Sequence, residues 1–337
     1  MSQTKSNKDR SMVKDLTNGS IPILLMTFAA PLFLSNALQA VYNVVDMMVV
    51  GQVLGKTGMS AVNTGGNILH ILAFLAMGFS SAGQIVIAKS VGEKRMDEVK
   101  RIIGSLFTML FIIALVISVF CYVFRDPMLR MVNTPAEAYD YTMDYTVTCI
   151  YGLIFIYGYN CVSAIMRGMG DSKRPFVFVT IAAILNIILD ILFVGFMGME
   201  VMGAALATVI GQAVSFIFSI AYLYKHKDAF GFDFKPKSFI PNKKTLGRIA
   251  ALGIPMALQS AAVTLSQTVV AAWVNSFGVV SSAIAGIIGK LNMMVGILSQ
   301  ALTTAAASMV GQNLGAKKID RIKKVVLISQ FSIIVIG

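Results

Sequence analysis

Apolar stretches of about 20 residues recur from Ile21 to the end of the chain, and they fix the solvent in which it folds. Each is long enough to cross a hydrocarbon core of ~30 Å as a helix rising 1.5 Å per residue. We read spans near residues 21–50, 60–88, 102–124, 138–166, 175–197, 201–224, 247–276 and 281–310, with a ninth beginning near Val325. The period-2 alternation of a membrane β-barrel is absent from these stretches. Hydrophobic residues make up 56% of the chain and charged residues 13%, and the mean hydropathy is +0.76. Soluble domains fall well outside that range. The expected fold is an all-α polytopic membrane protein. The first apolar run follows a polar, Lys-containing leader and is too long for a signal peptide, so it is read as a retained span.

The formal net charge is +12, which in a soluble chain would suggest nucleic acid. Its distribution argues against that partner. Of the 28 Lys and Arg, 24 fall in the leader, Lys89–Arg101, Arg167–Arg174, Lys225–Arg248 and Lys317–Lys324. All these segments lie on one side of the membrane if the spans alternate. An excess of basic residues marks the cytoplasmic side, so the N-terminus is expected there and the loops face anionic lipid.

Two carboxylates break the apolar pattern. Asp46 lies in the first span and Asp190 in the fifth, and neither stretch contains Lys or Arg. A charge at the centre of a span costs roughly 3 kcal/mol on insertion scales, and chains retain it for ion or proton pathways or for pairing. Counted along the helices, Asp46, Asp190 and Thr208 of span 6 fall at similar depth in the outer half. Asn186 precedes Asp190 by four residues and shares its helix face. Carboxylate, amide and hydroxyl oxygens suit a hard monovalent cation such as Na⁺, while a desolvated Asp can carry a proton. The competing reading is a protonated Asp that only hydrogen-bonds to a neighbouring helix.

Gln39, Tyr42 and Asn43 lead to Asp46 at helical spacings, and span 4 carries Tyr145, Tyr151, Tyr157 and Tyr159. With 21 Met, these rings suit bulky, planar or cationic molecules through stacking, cation–π contacts and adaptable packing. From this set Gln39, Tyr42, Asn43 and Tyr151 are taken as substrate-binding candidates. For any single Tyr or Met, packing or an interfacial belt is the alternative. His70 reads as a polar contact within the bundle and Lys290 as a lone cation within a span. Cys121, Cys149 and Cys161 lack CxxC spacing and read as packed thiols. No nucleophile elbow, zinc-protease, P-loop or dinucleotide motif stands in a suitable context, so neither an enzyme nor a cofactor is expected.

The chain repeats itself. AKSVGEKRMDEVKR (Ala88 to Arg101) aligns without gaps to GQNLGAKKIDRIKK (Gly311 to Lys324), with Gly92/Gly315, Lys94/Lys317, Asp97/Asp320 and Lys100/Lys323 identical. Pro31 pairs similarly with Pro255. An even number of spans separates the two loops, so the repeats run in the same orientation, related by an axis along the membrane normal. The organisation read from this is a leader at 1–20, a six-helix lobe at 21–224, a cytoplasmic linker at 225–246, and a partial second lobe at 247–337. The second lobe holds spans 7, 8 and the start of 9. A final run of 13 residues cannot cross a bilayer, so the chain is expected to be a fragment of a protein with about a dozen spans.

These residues resemble the multidrug and toxic compound extrusion (MATE) family. The resemblance rests on Pro31 with YNVVDMMVVG, on RGMGDSKRPF (Arg167 to Phe176), on NIILDILFVGFMGMEVMGAALATVIGQ (Asn186 to Gln212), and on the loops at Gly92 and Gly315. It implies two six-helix lobes related by a pseudo-two-fold axis, here with the second incomplete. It also implies export of organic cations and other drugs by alternating access, driven by H⁺ or Na⁺ entry across a bacterial or archaeal plasma membrane, by a monomer. By resemblance Asp46 couples ion flow to drug release, Asn186, Asp190 and Thr208 complete a first-lobe cation site, and Pro31 bends span 1. An acidic residue that one branch carries in span 7 is absent here. The second functional reading is a lipid-linked saccharide flippase of the same broader fold. Such a protein needs strong basic residues inside the first-lobe cavity, and spans 1, 2, 4, 5 and 6 show almost none.

Overall fold

The computed structural model describes residues 13–275, 277 and 279–336, which form helices, helical turns and short connections with no strand among them. The helices are α1 (Ile21–Gly92), α2 (Met96–Val123), α3 (Arg125–Met131), α4 (Tyr139–Gly168) and α5 (Lys173–Asp190). They continue with α6 (Glu200–Lys225), α7 (Lys227–Phe230), α8 (Lys243–Asn275), α9 (Val279–Gly315) and α10 (Ile319–Ile336). Seven candidate membrane spans lie among these residues.

The first of them counts twice. An unbroken helix of 72 residues would be about 108 Å long, several times the thickness of a bilayer core. At Gly55 the backbone has φ 62° and ψ −148°, a region open only to glycine, and the helix folds back there into two arms, 21–54 and 56–92. The sequence reading placed a loop between residues 50 and 60. One glycine makes that turn instead. The arms with α2, α4, α5 and α6 form the first six-helix lobe. Pro31 is enclosed in the first arm, and the non-helical backbone of α1 lies at Gly55 rather than beside the proline.

The apolar faces of the lobe point both ways, as a lipid solvent requires. On α2, Ile102, Ile103, Leu106 and Leu110 are buried against α1 and α4, while Phe111, Leu115, Val116 and Val119 are exposed. The second lobe meets the first along both arms of α1, with Gly78 and Phe79 of the second arm against Ala257 and Gly253 of α8. Leu25, Phe28 and Leu32 pack into one buried cluster with Leu302 and Met309 of α9 and Val325 of α10.

The internal repeat is a structural repeat. Lys94 and Lys317 both have φ 58°. Around them the backbone bonds correspond pair by pair: Lys94 N donates to Val91 O at 2.9 Å as Lys317 N does to Leu314 O at 3.1 Å. Arg95 N donates to Ser90 O at 3.0 Å as Lys318 N does to Asn313 O at 2.9 Å. The two loops lie at one end of the bundle, called here the basic end.

The segment joining the lobes is not a loose loop. Phe230 and Phe232 are 1% exposed, and Phe232 lies against Phe107 of α2 and Phe239 at ring-centroid distances of 6.1 and 5.1 Å. Lys100 Nζ donates to Asp233 Oδ2 at 2.8 Å. That bond, with the hydroxyl of Ser238, holds the Asp233 carboxyl well below the usual carboxylate range. The leader is docked as well: Leu16 N donates to Gln312 Oε1 at 2.9 Å, and Lys318 Nζ to Thr17 O at 2.9 Å. Residues 1–12 of the expected leader, and the side chain of Lys290, lie outside the described residues.

Candidate functional site

A cavity of about 620 Å³ lies between the two arms of α1, α4, α5, α6 and α9. Away from the basic end it is lined by Asp46 and Asn43 of the first arm, Asn186 of α5, Thr208 and Gln212 of α6, and Tyr145 of α4. Asp46 is 4% exposed, Asn186 3% and Asp190 0%. Asp190 sits one turn beyond Asn186 on the same face of α5, behind the cavity wall. The two carboxylates are near enough to repel one another when both are charged.

Asn186 Nδ2 lies 3.5 Å from Thr208 Oγ1, so α5 and α6 bring amide and hydroxyl together. The oxygens around them are unmatched. Asp46 Oδ1, Asn186 Oδ1 and both carboxylate oxygens of Asp190 are buried and accept no hydrogen bond. Buried acceptors are nearly always paired, so four in one region stand out. A proton or a hard monovalent cation fits an all-oxygen set. Immediately after Asp190 the helix widens into a π turn, Ile191–Phe196. Nothing in the sequence signalled that turn, and such turns frequently mark functional sites.

Gln39, Tyr42 and Asn43 all line the same cavity as Asp46, and His70 lines it from the second arm. The tyrosines of α4 divide. Tyr145 and Tyr159 line the cavity, whereas the Tyr157 hydroxyl donates to Leu72 O at 2.7 Å within the core. Tyr151 is a correction to its place among the substrate-binding candidates. It is 64% exposed on the outer surface of the lobe, its ring 5.9 Å from Tyr122, and it is not part of the cavity wall.

At the basic end the cavity has a floor that the sequence reading missed. Arg167, counted there as a loop residue, is the penultimate residue of α4 and lines the cavity. Its Nε donates to Gln84 Oε1 at 2.8 Å and its Nη1 donates to Ser163 Oγ. Gln84 in turn reaches across to α9, donating to Thr304 O at 3.0 Å and Ser308 Oγ at 2.7 Å. Ser308 closes the ring by donating to Arg167 O at 3.0 Å. The lobes are thus locked together under the cavity. The signal was present: Tyr159, Asn160, Ser163 and Arg167 recur at spacings of one helix face.

The family model described as MatE matches residues 31–192 and 255–337. The chain belongs to the MatE family. Members of the family are transporters, which accords with a multi-pass helical chain built round a central cavity. The chain is 30% identical over 315 residues to "Probable multidrug resistance protein YoeA" of Bacillus subtilis, covering 92% of this chain and 68% of that one. It is 24% identical over 310 residues to "Multidrug export protein MepA" of Staphylococcus haemolyticus, covering 90% and 68%. Among solved structures, a MATE transporter in the bent conformation superposes with a TM-score of 0.87 at 21% identity, covering 93% of this chain and 70% of that one. The MatE fold of two related lobes accounts for the paired loops and the cavity between them.

Proposed function

We propose that this chain is the machinery of a multidrug efflux antiporter, with Asp46, Asn186, Asp190 and Thr208 as its cation-coupling site. The observation that carries the reading is the set of unmatched buried oxygens at one end of a cavity large enough for a drug. The names of the similar proteins, a multidrug resistance protein and a multidrug export protein, support the substrate class. The basic end is the cytoplasmic end by the positive-inside rule, which puts the N-terminus inside and the coupling site toward the exterior. H⁺ or Na⁺ entering from outside neutralises Asp46. Drug-like, mainly cationic molecules bind among Gln39, Tyr42 and Asn43.

Coupling follows from where Asp46 is mounted. It stands on the first arm of α1, whose lower half, Leu25 to Leu32, is packed against α9 and α10. A cation that binds better in one arrangement of this arm than in another shifts the lobes by that difference in affinity. Drug and cation compete for one buried acidic region, so loading the ion releases the drug.

Efflux of a fluorescent cationic dye, measured in pump-deficient cells, tests this. Asp46→Asn should abolish dye efflux while leaving the protein inserted. Thr208→Val should raise the Na⁺ concentration for half-maximal efflux about ten-fold if Na⁺ couples, and leave a proton-driven profile unmoved. Normal efflux by Asp46→Asn would overturn the reading.

A further inference from the structure

The two ends of the cavity carry contrasting groups, a carboxyl at one and a guanidinium at the other. Tyr145, beside Asp46, and Arg167 are separated along α4 by about 33 Å at the helical rise per residue. A single drug-sized molecule therefore cannot touch both ends. The inner end holds a guanidinium that no carboxylate pairs with among the described residues. Its neighbour Arg174 does have such a partner, Asp171, at 2.5 Å. The partners of Arg167 are neutral, Gln84 and Ser163, and its Nη2 makes no hydrogen bond to the protein. A cation held in a membrane protein is rare unless it is paired or serves a passing ligand.

From this geometry we infer that Arg167, with Ser163 and Asn160 beside it, forms a carboxylate-binding subsite at the inner end of the cavity. The inference rests on the cavity being the export site. The ligands such a subsite fits are carboxylate-bearing, zwitterionic molecules. The guanidinium presents its remaining N–H groups to an oxyanion in the geometry that Arg, and not Lys, provides. Asn160 lines the cavity and donates from Nδ2 to Ile156 O at 2.8 Å, and its carbonyl oxygen can accept only from a ligand's ammonium or N–H, not bind an anion. Aromatic and thioether surface for the rest of such a molecule comes from Tyr159 and Met77. At this end a cation alone meets like charge. A zwitterion presents its anionic group first.

Two dyes with one ring system separate the cases: rhodamine 110, which has a free carboxylate, and rhodamine 123, its methyl ester. Binding to the purified protein in zwitterionic lipid nanodiscs is read by fluorescence polarisation. In Arg167→Gln the dissociation constant for rhodamine 110 should rise about ten-fold, while that for rhodamine 123 stays within two-fold. Arg167→Lys should fall between them. Binding of both dyes with a ratio unmoved by Arg167→Gln would overturn the inference and leave the export reading standing. Failure of the unaltered protein to bind either dye would sink both. Loss of both dyes in the glutamine and the lysine variants alike would assign Arg167 to the fold alone and overturn the inference.

Discussion

Gly92 and Gly315 each fill the same niche in the other's lobe. A Cβ on Gly92 would lie 2.0 Å from Gln312 O, and a Cβ on Gly315 would lie 2.0 Å from Lys89 O. In the repeat alignment Gly92 matches Gly315 and Lys89 matches Gln312, so one contact is the other turned about the pseudo-two-fold axis. The ends of α1 and α9 cross with backbone against backbone, and only glycine permits it.

Alanine at either glycine should therefore open the basic end. The obstacle is a carbonyl oxygen, which cannot swing aside as a side chain does, so the helices must separate at a cost of about 1–3 kcal/mol. A cysteine placed at Ser308, which is 0% exposed, reports the change in a background lacking Cys121, Cys149 and Cys161. Gly92→Ala and Gly315→Ala should each speed its labelling by a membrane-impermeant maleimide several-fold. Equal rates would refute the steric lock.

Gln84 is the polar half of that lock. Gln84→Leu leaves Arg167 Nε and Ser308 without their partner and should destabilise the closed arrangement by about 1–3 kcal/mol. Gln84→Leu and Ser308→Ala share one hydrogen bond, so their effects should be non-additive by about 1 kcal/mol in a double-mutant cycle. Additive losses would show that the two groups act separately.

Tyr42 and Tyr151 should behave oppositely. Tyr42 lines the cavity close to Asp46, so Tyr42→Ala should weaken dye binding about three- to thirty-fold. Tyr151 stands on the outer surface, and Tyr151→Ala should leave binding within two-fold. Polarisation titrations of both variants decide between cavity and belt.

Acid should loosen the inter-lobe segment. The Asp233 carboxyl is held low by Lys100 and Ser238, so its folded-state value lies beneath its unfolded one. Its contribution is then complete above the unfolded value near pH 4 and is lost as pH falls below that. Pepsin cleavage at the Phe232–Phe239 segment, normalised to the free peptide, should rise a few-fold between pH 4 and 2 in the unaltered protein. Asp233→Asn should be cleaved at the higher normalised rate throughout. A flat profile in the unaltered protein would contradict the assignment.

What the sequence made legible was whatever a fixed helical rise controls. Counting 1.5 Å per residue from the span ends sets Asp46, Asp190 and Thr208 at similar depth with Asn186 one turn from Asp190 on its helix face, and the folded chain holds Asn186 against Thr208. Direction round the helix axis was harder. Arg167 sits at a span end, where its charge reads equally as a loop residue, and only the polar stripe from Tyr159 distinguishes the two. Tyr151 shares α4 with Tyr145 and Tyr159, but its place on the turn carries it round to the outer surface. The break between the first two spans was legible, but that Gly55 alone makes it was not, because glycines are common in such spans and only the backbone angles single it out. The docking of the inter-lobe segment through Phe232 and Phe239 depends on the surface of α2, a contact over long sequence distance that local pattern does not encode.

That docking sets how the two lobes are joined. Asn242 N donates to Ser105 Oγ of α2 at 3.1 Å, and the Asn242 side chain accepts from Lys244 N at 3.0 Å, capping α8. One residue thus anchors the segment to α2 and caps the first helix of the second lobe, and Arg248 of α8 pairs with Glu98 of α2 further along. The tether has no slack. Any swing of the second lobe that keeps these anchors has to pivot in the first turns of α8, between Asn242 and Arg248, with the rest of α8 as its lever arm. The length of that arm, and not a span of loose chain, then sets how far the opposite mouth opens for each degree of rotation.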